Sequence, residues 1–112
     1  MIEVPTIEVA QVPDPLPEGV TVLDVREPFE WQHGRIDGSV HIPLTQIPAR
    51  ADELPVEQQL LVVCQVGGRS AQATAFLREK GFEAINLAGG LISWVEAGRP
   101  MIADGGADPV VV

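Results

Sequence analysis

The chain has 112 residues, the size of one domain, and can bury a core without disulfides or a structural metal. Its 16 acidic residues against 7 basic ones give a net charge of -9, which argues against nucleic acid as a partner. No apolar run approaches the ~20 residues that span a bilayer, and the acidic N-terminus does not resemble a secretory signal. These features predict a cytoplasmic protein that binds neither nucleic acid nor membrane.

Strands and helices are expected to alternate along the chain, because β-branched apolar runs alternate with segments of helical spacing. A stretch rich in proline and glycine, 12–19, is typical of a loop. In chain order, the predicted elements are an edge strand at 5–10, a strand at 20–25, a short helix at 27–34, a short strand within 36–43, broken helical turns over 44–54, a strand at 60–64, a helix at 70–80, a strand at 82–87 and a short helix at 91–98.

This alternation predicts an α/β fold with a parallel sheet and helices on both faces. The helix at 70–80 has the clearest pattern, with apolar residues at helical spacing and Gly81 placed to end it. Gly89 and Gly90 are expected to make a tight connection between the last strand and the last helix. Residues 101–112 are rich in glycine and aspartate, and we expect them to form a flexible tail.

Cys64 is the only cysteine, so an internal disulfide and a multi-thiolate metal site are both excluded. His33 and His41 are eight residues apart, without further ligands at zinc spacing, so the sequence predicts neither a metal nor a cofactor. His41 is expected to make a hydrogen bond at a strand end. His33 closes a short helix, where a cationic imidazole suits the helix dipole.

The segment Cys64–Ser70, C-Q-V-G-G-R-S, joins a buried strand to a helix at the edge where α/β sheets bind ligands. Gly67 and Gly68 permit positive φ angles, so backbone N–H groups can converge on an anion, and Arg69 adds a cation. Such surroundings lower the pKa of a thiol and make it a nucleophile. The alternative is an inert buried cysteine beside an ordinary turn. The loop context favours a cradle for a charged sulfur species.

Five other side chains are candidates for a supporting or packing role. Asp24 and Arg26 end a strand at the same edge of the sheet, and we expect them to support the loop or pair with each other. Ser70 is expected to open the long helix and to help orient the sulfur. Trp94 is expected to pack the last helix against the sheet. Trp31 is predicted either to line the pocket or to cover the core.

Four separated motifs together resemble the rhodanese family. They are L-D-V-R-E (23–27), W-Q-H-G-R-I-D-G-S-V-H-I-P (31–43), C-Q-V-G-G-R-S (64–70) and N-L-A-G-G-L-I-S-W (86–94). The resemblance implies a rhodanese-like domain over residues 1–100, a three-layer fold whose five-stranded parallel sheet is flanked by helices. It also implies sulfane-sulfur transfer through a persulfide of Cys64, with thiosulfate as the usual donor and cyanide or a thiol as acceptor.

The loop that binds the donor is expected to comprise Gln65, Val66, Gly67, Gly68 and Arg69. Cysteine phosphatases and similar arsenate reductases use C-x5-R, and the shorter C-x4-R spacing here favours a single sulfur over a phosphate. Many members of the family that prefer thiosulfate carry basic residues where this chain has the first two loop residues, so the donor stays open. Without a second cysteine, the sulfur must pass to a small molecule or a partner protein. A persulfide carrier or sulfide-sensing module without rapid turnover remains an alternative.

Overall fold

A computed structural model describes residues 4–112, so the first three residues of the predicted 1–100 domain lie outside it. Within that range five parallel strands form one sheet. The strands and α-helices of the domain are β1 (Thr6–Ile7), β2 (Val20–Asp24), α1 (Pro28–His33), β3 (Val40–His41), α2 (Ile47–Arg50), β4 (Gln59–Val63), α3 (Gly68–Glu79), β5 (Glu83–Leu87) and α4 (Gly90–Glu96).

The sheet has the order β1-β5-β4-β2-β3, so β4 lies at its centre between β5 and β2. Alternate residues of β4 enter two separate clusters, because successive side chains of a strand point to opposite faces. Leu60 and Val62 join α2 and α3 on one face, while Leu61 and Val63 join α4 on the other. The predicted parallel α/β sheet with helices on both faces is therefore confirmed.

The elements begin and end close to the predicted residues, with two informative differences. The first strand is only two residues long, because the chain turns into a short 3-10 helix at Val9–Gln11. The long helix begins at Gly68 and not at Ser70, because Gly67 adopts a left-handed φ of 114° and serves as its N-cap. Ser70 therefore lies inside the first turn. The helix ends before Gly81 as predicted, with φ 96° at that residue.

The segment after α4 returns along the outside of the domain. Arg35 and Ile102 form an antiparallel bridge, and the Arg35 guanidinium lies 2.6 Å from Asp104. Further on, the Val110 amide donates to the carbonyl of His33 at 2.8 Å. These contacts place the segment against the end of α1, and its predicted flexibility stays a prediction. Among residues 4–112, no helix is long and apolar enough to cross a membrane.

Candidate active site

The loop that follows β4 lies where the centre of the sheet meets the start of α3. Cys64 directly follows the strand and its side chain is fully buried. Gly67 then turns the chain into the helix, and a side chain at its φ of 114° would be strained. A β-carbon there would also lie 3.5 Å from the backbone nitrogen of Gly89. The sequence thus brings a buried thiol to the first turn of a helix.

The Cys64 sulfur receives hydrogen bonds that stabilise its anionic form. The Gly67 amide donates to Sγ at 3.1 Å, and the Ser70 hydroxyl lies 3.3 Å from it. Burial raises the pKa of the Cys64 thiol, but the Ser70 hydroxyl and the amides of Ser70, Gly67 and Val66 outweigh it, and the pKa is lowered overall. The predicted convergence of backbone N–H groups is present around a thiol that ionises more readily than a free cysteine.

The Ser70 hydroxyl links the sulfur to Asn86. It donates to Oδ1 of Asn86 at 2.5 Å, and its oxygen faces Sγ. A hydroxyl has one proton, so in this arrangement the Cys64 thiol is the donor to Ser70. A thiolate can only accept, so a hydrogen bond from Ser70 to the ionised sulfur requires the hydroxyl proton to turn from Asn86 to Sγ.

Arg69 forms a bidentate ion pair with Glu30 of α1. Its two terminal nitrogens lie 2.7 and 2.9 Å from the two carboxylate oxygens. The hydrogen bonds raise the pKa of Arg69 and lower that of Glu30, although burial opposes both shifts. Glu30 also accepts the Glu27 amide at 2.9 Å, which closes a capping box at the start of α1. The loop cation is therefore already paired with a carboxylate.

The start of α4 holds the outer side of the loop. The amides of Leu91 and Ile92 donate to the carbonyls of Cys64 and Gln65, at 2.8 and 3.1 Å. A β-carbon on Gly90 would lie 2.5 Å from both carbonyl oxygens, so only glycine allows this close approach. The predicted tight connection is present, and it supports the cysteine loop directly.

Asp24 and Arg26 form a fully buried ion pair at 2.7 Å. Arg26 also donates to the carbonyls of Gly34 at 2.6 Å and Glu30 at 3.4 Å. The Asp24 carboxylate accepts hydrogen bonds from the backbone amide and the guanidinium of Arg26, so the two residues pair with each other. The pair holds α1, which in turn carries the carboxylate that binds Arg69. Its support of the loop is therefore indirect.

The remaining candidates lie outside the sulfur's immediate contacts. His41 Nε2 donates to the carbonyl of Arg26, 2.7 Å away, and its ring stacks on Trp31 at 4.7 Å between centroids. Trp94 is buried with β4 as expected, and its indole donates to the Pro100 carbonyl. Among residues 4–112, no three His, Cys, Asp or Glu side chains are grouped to hold a metal ion.

Gln65 and Val66 form the outer part of the loop. Val66 is 63% exposed, whereas the Gln65 side chain donates to the carbonyl oxygen of Val112 at 3.1 Å. Both residues are uncharged. The solvent-facing part of the loop therefore consists of an apolar side chain, Val66, and a polar one, Gln65. Its one cation, Arg69, is neutralised by Glu30.

Sequence reasoning misses two residues at the site. Glu30 has a local signal, because E-P-F-E is a capping-box pattern, but nothing local pairs it with Arg69. Asn86 lies in a predicted strand, where a polar amide stands out among apolar neighbours. Gly90 is predicted in a tight connection, but its approach to the carbonyls of the cysteine loop has no local signal.

Comparison with known proteins agrees with this geometry. Residues 8–97 match the family of rhodanese-like domains. A sulfurtransferase of Allochromatium vinosum is 37% identical over 90 residues, which cover 80% of this chain and 84% of that protein. The thiosulfate sulfurtransferase GlpE of Pseudoalteromonas translucida is 33% identical over 81 residues, 71% of this chain and 77% of that protein.

One solved structure and a further sequence relative agree with this family. A rhodanese-related protein from Thermoplasma volcanium superposes with a TM-score of 0.84 at 35% identity, over 89% of this chain and 99% of that one. A putative sulfur carrier protein of Bacillus subtilis, YrkF, is 37% identical over 78 residues, 69% of this chain and 42% of that protein. The chain belongs to the family of rhodanese-like domains and is related to single-domain sulfurtransferases.

Proposed function

We propose that this protein transfers sulfane sulfur through a persulfide on Cys64. The observation that carries the proposal is the hydrogen bond from the Gly67 amide to a buried sulfur whose pKa is lowered. A thiolate is the nucleophile in sulfur exchange, and the donors that stabilise it also suit the negative outer sulfur of a persulfide. The enzymes named sulfurtransferases among the relatives support the same reaction class.

The reaction is a double displacement. The Cys64 thiolate attacks the outer sulfur of the donor, forming a new S–S bond while the donor's S–S bond breaks. The bonding electron pair leaves with the donor remnant, which is sulfite for thiosulfate or a thiolate for an organic persulfide. A nucleophilic acceptor, cyanide or a thiol, then attacks the outer sulfur and releases the Cys64 thiolate. The scheme gives ping-pong kinetics.

The charge of the loop favours donors with little net negative charge. Arg69 was expected to attract an anionic donor, but its ion pair with Glu30 supports a role in holding the loop against α1. Gln65 and Val66 add no charge. We therefore place organic persulfides ahead of the thiosulfate dianion as donors, and we place the protein in the reducing cytoplasm, where such thiol species and a free cysteine persist.

The direct test is the intact mass of the reduced protein after incubation with 2-hydroxyethyl persulfide, a monoanion, or with thiosulfate, a dianion. Cys64→Ser serves as the matched control, because it replaces only the sulfur. We expect the wild type alone to gain one sulfur atom, more readily from the monoanionic persulfide, and to lose it again to cyanide. No gain from either donor would refute the proposal. Hydrolysis of an aryl phosphate that Cys64→Ser abolishes would support the phosphatase alternative instead.

A persulfide carrier is the second candidate, favoured by the similarity to the protein named a putative sulfur carrier. The chain has no second cysteine to take the sulfur from Cys64, so the acceptor must come from outside. Steady-state turnover with small thiols would identify an enzyme. A single stoichiometric burst of sulfur loading, followed by release only to a partner protein, would identify a carrier.

A further inference from the structure

The last three residues of the chain lie beside the cysteine loop. We call residues 110–112 the C-terminal strap. One end of the strap contacts α1 and the other end contacts Gln65, the residue that follows Cys64. The sequence, rich in glycine and aspartate just before this point, gave no indication of such contacts.

At α1 the strap is held by its backbone. The Val110 amide donates to the carbonyl of His33 at 2.8 Å. Gly34 permits this approach, since a β-carbon on it would lie 2.5 Å from the Val110 oxygen and 3.0 Å from its nitrogen. The φ of Gly34 is 176°, extended backbone that any residue adopts. Its lack of a side chain matters here because of the strap alone.

At the loop the strap contacts a residue of the proposed donor site. Val111 packs against the buried cluster that contains Val63, the residue before Cys64. The carbonyl oxygen of Val112 then accepts a hydrogen bond from the Gln65 amide group at 3.1 Å. The strap thus lies beside the loop at Gln65, and its other end contacts α1, the helix that also carries Glu30.

From these contacts we propose that the C-terminal strap forms one wall of the entrance to Cys64 and limits the size of the molecules that reach its sulfur. The side chain of Cys64 is fully buried, so a reacting molecule must pass the loop and its flanks. The loop is held against α1 by the bidentate ion pair of Arg69 and Glu30. The strap is held only by single hydrogen bonds and a partly buried valine, so it is the neighbour of the loop that is displaced most easily.

Two substitutions displace the strap in the 112-residue chain, one on α1 and one in the strap itself. Gly34→Ala places a methyl group where Val110 lies, and Val110→Pro removes the amide that donates to His33. Val110→Ala is the matched control, because it shortens the side chain and keeps that amide. The readout is the rate at which Cys64 reacts with iodoacetamide and with a bulky, uncharged, biotin-linked iodoacetamide. The ratio of the two rates cancels any change in the reactivity of the thiol itself.

We expect the rate with the bulky reagent, divided by the rate with iodoacetamide, to rise about fivefold in Gly34→Ala and in Val110→Pro. Loss of one hydrogen bond, worth about 1 kcal/mol net, raises the population of molecules with a displaced strap by about that factor. Val110→Ala should leave the ratio unchanged. The double variant should match either single one, because both remove the same contact. Hydrogen exchange of the Val110 amide, slow in the wild type and in Val110→Ala and fast in Gly34→Ala, verifies the displacement.

Two results would overturn the inference: an unchanged ratio although exchange shows the strap displaced, or a strap that already exchanges freely in the wild type. The inference rests on the proposed function only for the identity of the natural reactants. Alkylation needs no sulfur transfer, so its outcome is independent of persulfide formation, and either proposal can fail while the other stands.

Discussion

Neutralising Glu30 tests whether the charge of the loop sets the choice of donor. Glu30→Gln removes the negative charge from the ion pair with Arg69. It keeps an oxygen that can accept from Arg69 and from the Glu27 amide, so the capping box of α1 is retained. The Arg69 side chain is 32% exposed, and its charge would then act on an approaching anion.

The size of the effect follows from Coulomb's law. For thiosulfate with two charges about 8 Å from the former carboxylate, the dielectric constant of water gives about 1 kcal/mol of removed repulsion. That corresponds to a rise of about fivefold in kcat/KM for thiosulfate. The Debye length is about 10 Å at 0.1 M salt, so the rise should be greatest at low ionic strength and shrink as salt is added.

The assay compares kcat/KM for thiosulfate, a dianion, and for 2-hydroxyethyl persulfide, a monoanion, over a range of salt concentrations, with cyanide as acceptor. Glu53→Gln is the matched control, because Glu53 forms an exposed ion pair with Arg50 and has no recorded contact with the loop. It changes the net charge by the same amount. The reasoning is refuted if Glu30→Gln raises thiosulfate use no more than Glu53→Gln does, or if the gain does not depend on salt.

Three further predictions concern the sulfur, the loop and the pH dependence of stability. Ser70→Ala removes a hydroxyl that lowers the pKa of Cys64, so the pH profile of its alkylation by iodoacetamide should move to higher pH; an unmoved profile would mean that the backbone amides suffice. Gly90→Ala forces a β-carbon against two loop carbonyls at a φ of 59°, so urea unfolding should show a loss of about 1–3 kcal/mol and sulfur transfer should fall with it. The pKa of Glu30 is lowered from 4.5 by its bond to Arg69, so its stabilisation is complete above that pH and is lost as the pH falls through the folded-state value. Glu30→Gln should therefore lose less free energy of unfolding than the wild type when the pH is lowered from neutral to well below 4.5, and equal losses would contradict this assignment.

Much of the site was predictable because its central features are local in sequence. The strand that ends at Cys64, the glycine turn and the following helix occupy consecutive residues, and each has a direct physical signature. The buried face of α3 was less predictable. Apolar spacing predicts a buried face of Ala71, Ala75, Phe76 and Leu77, and of these only Leu77 is fully buried. Ser70 and Thr74 are fully buried as well, because their hydroxyls have partners inside the protein.

The missed contacts join residues far apart in the chain. Arg69 and Glu30 are 39 positions apart, and Gln65 and Val112 are 47 apart. Neither pairing has a local pattern, because each depends on which sheet edge and which helix end the fold brings together. Glu30 both completes the capping box of α1 and pairs with the distant Arg69, and only the capping box has a pattern in the local sequence.

The bonds from α4 to the loop determine how the loop responds when sulfur is added to Cys64. In a trans peptide unit the C=O and the N–H point in opposite directions. When Ile92 binds the carbonyl of Gln65, it therefore also fixes the direction of the Val66 amide, one of the groups that lower the pKa of Cys64. In the proposed transfer, dipoles that are already oriented need not turn as charge moves from one sulfur to the next, which would keep the reorganisation energy of each step small. By this reasoning α4 would favour the transfer without touching the reacting atoms.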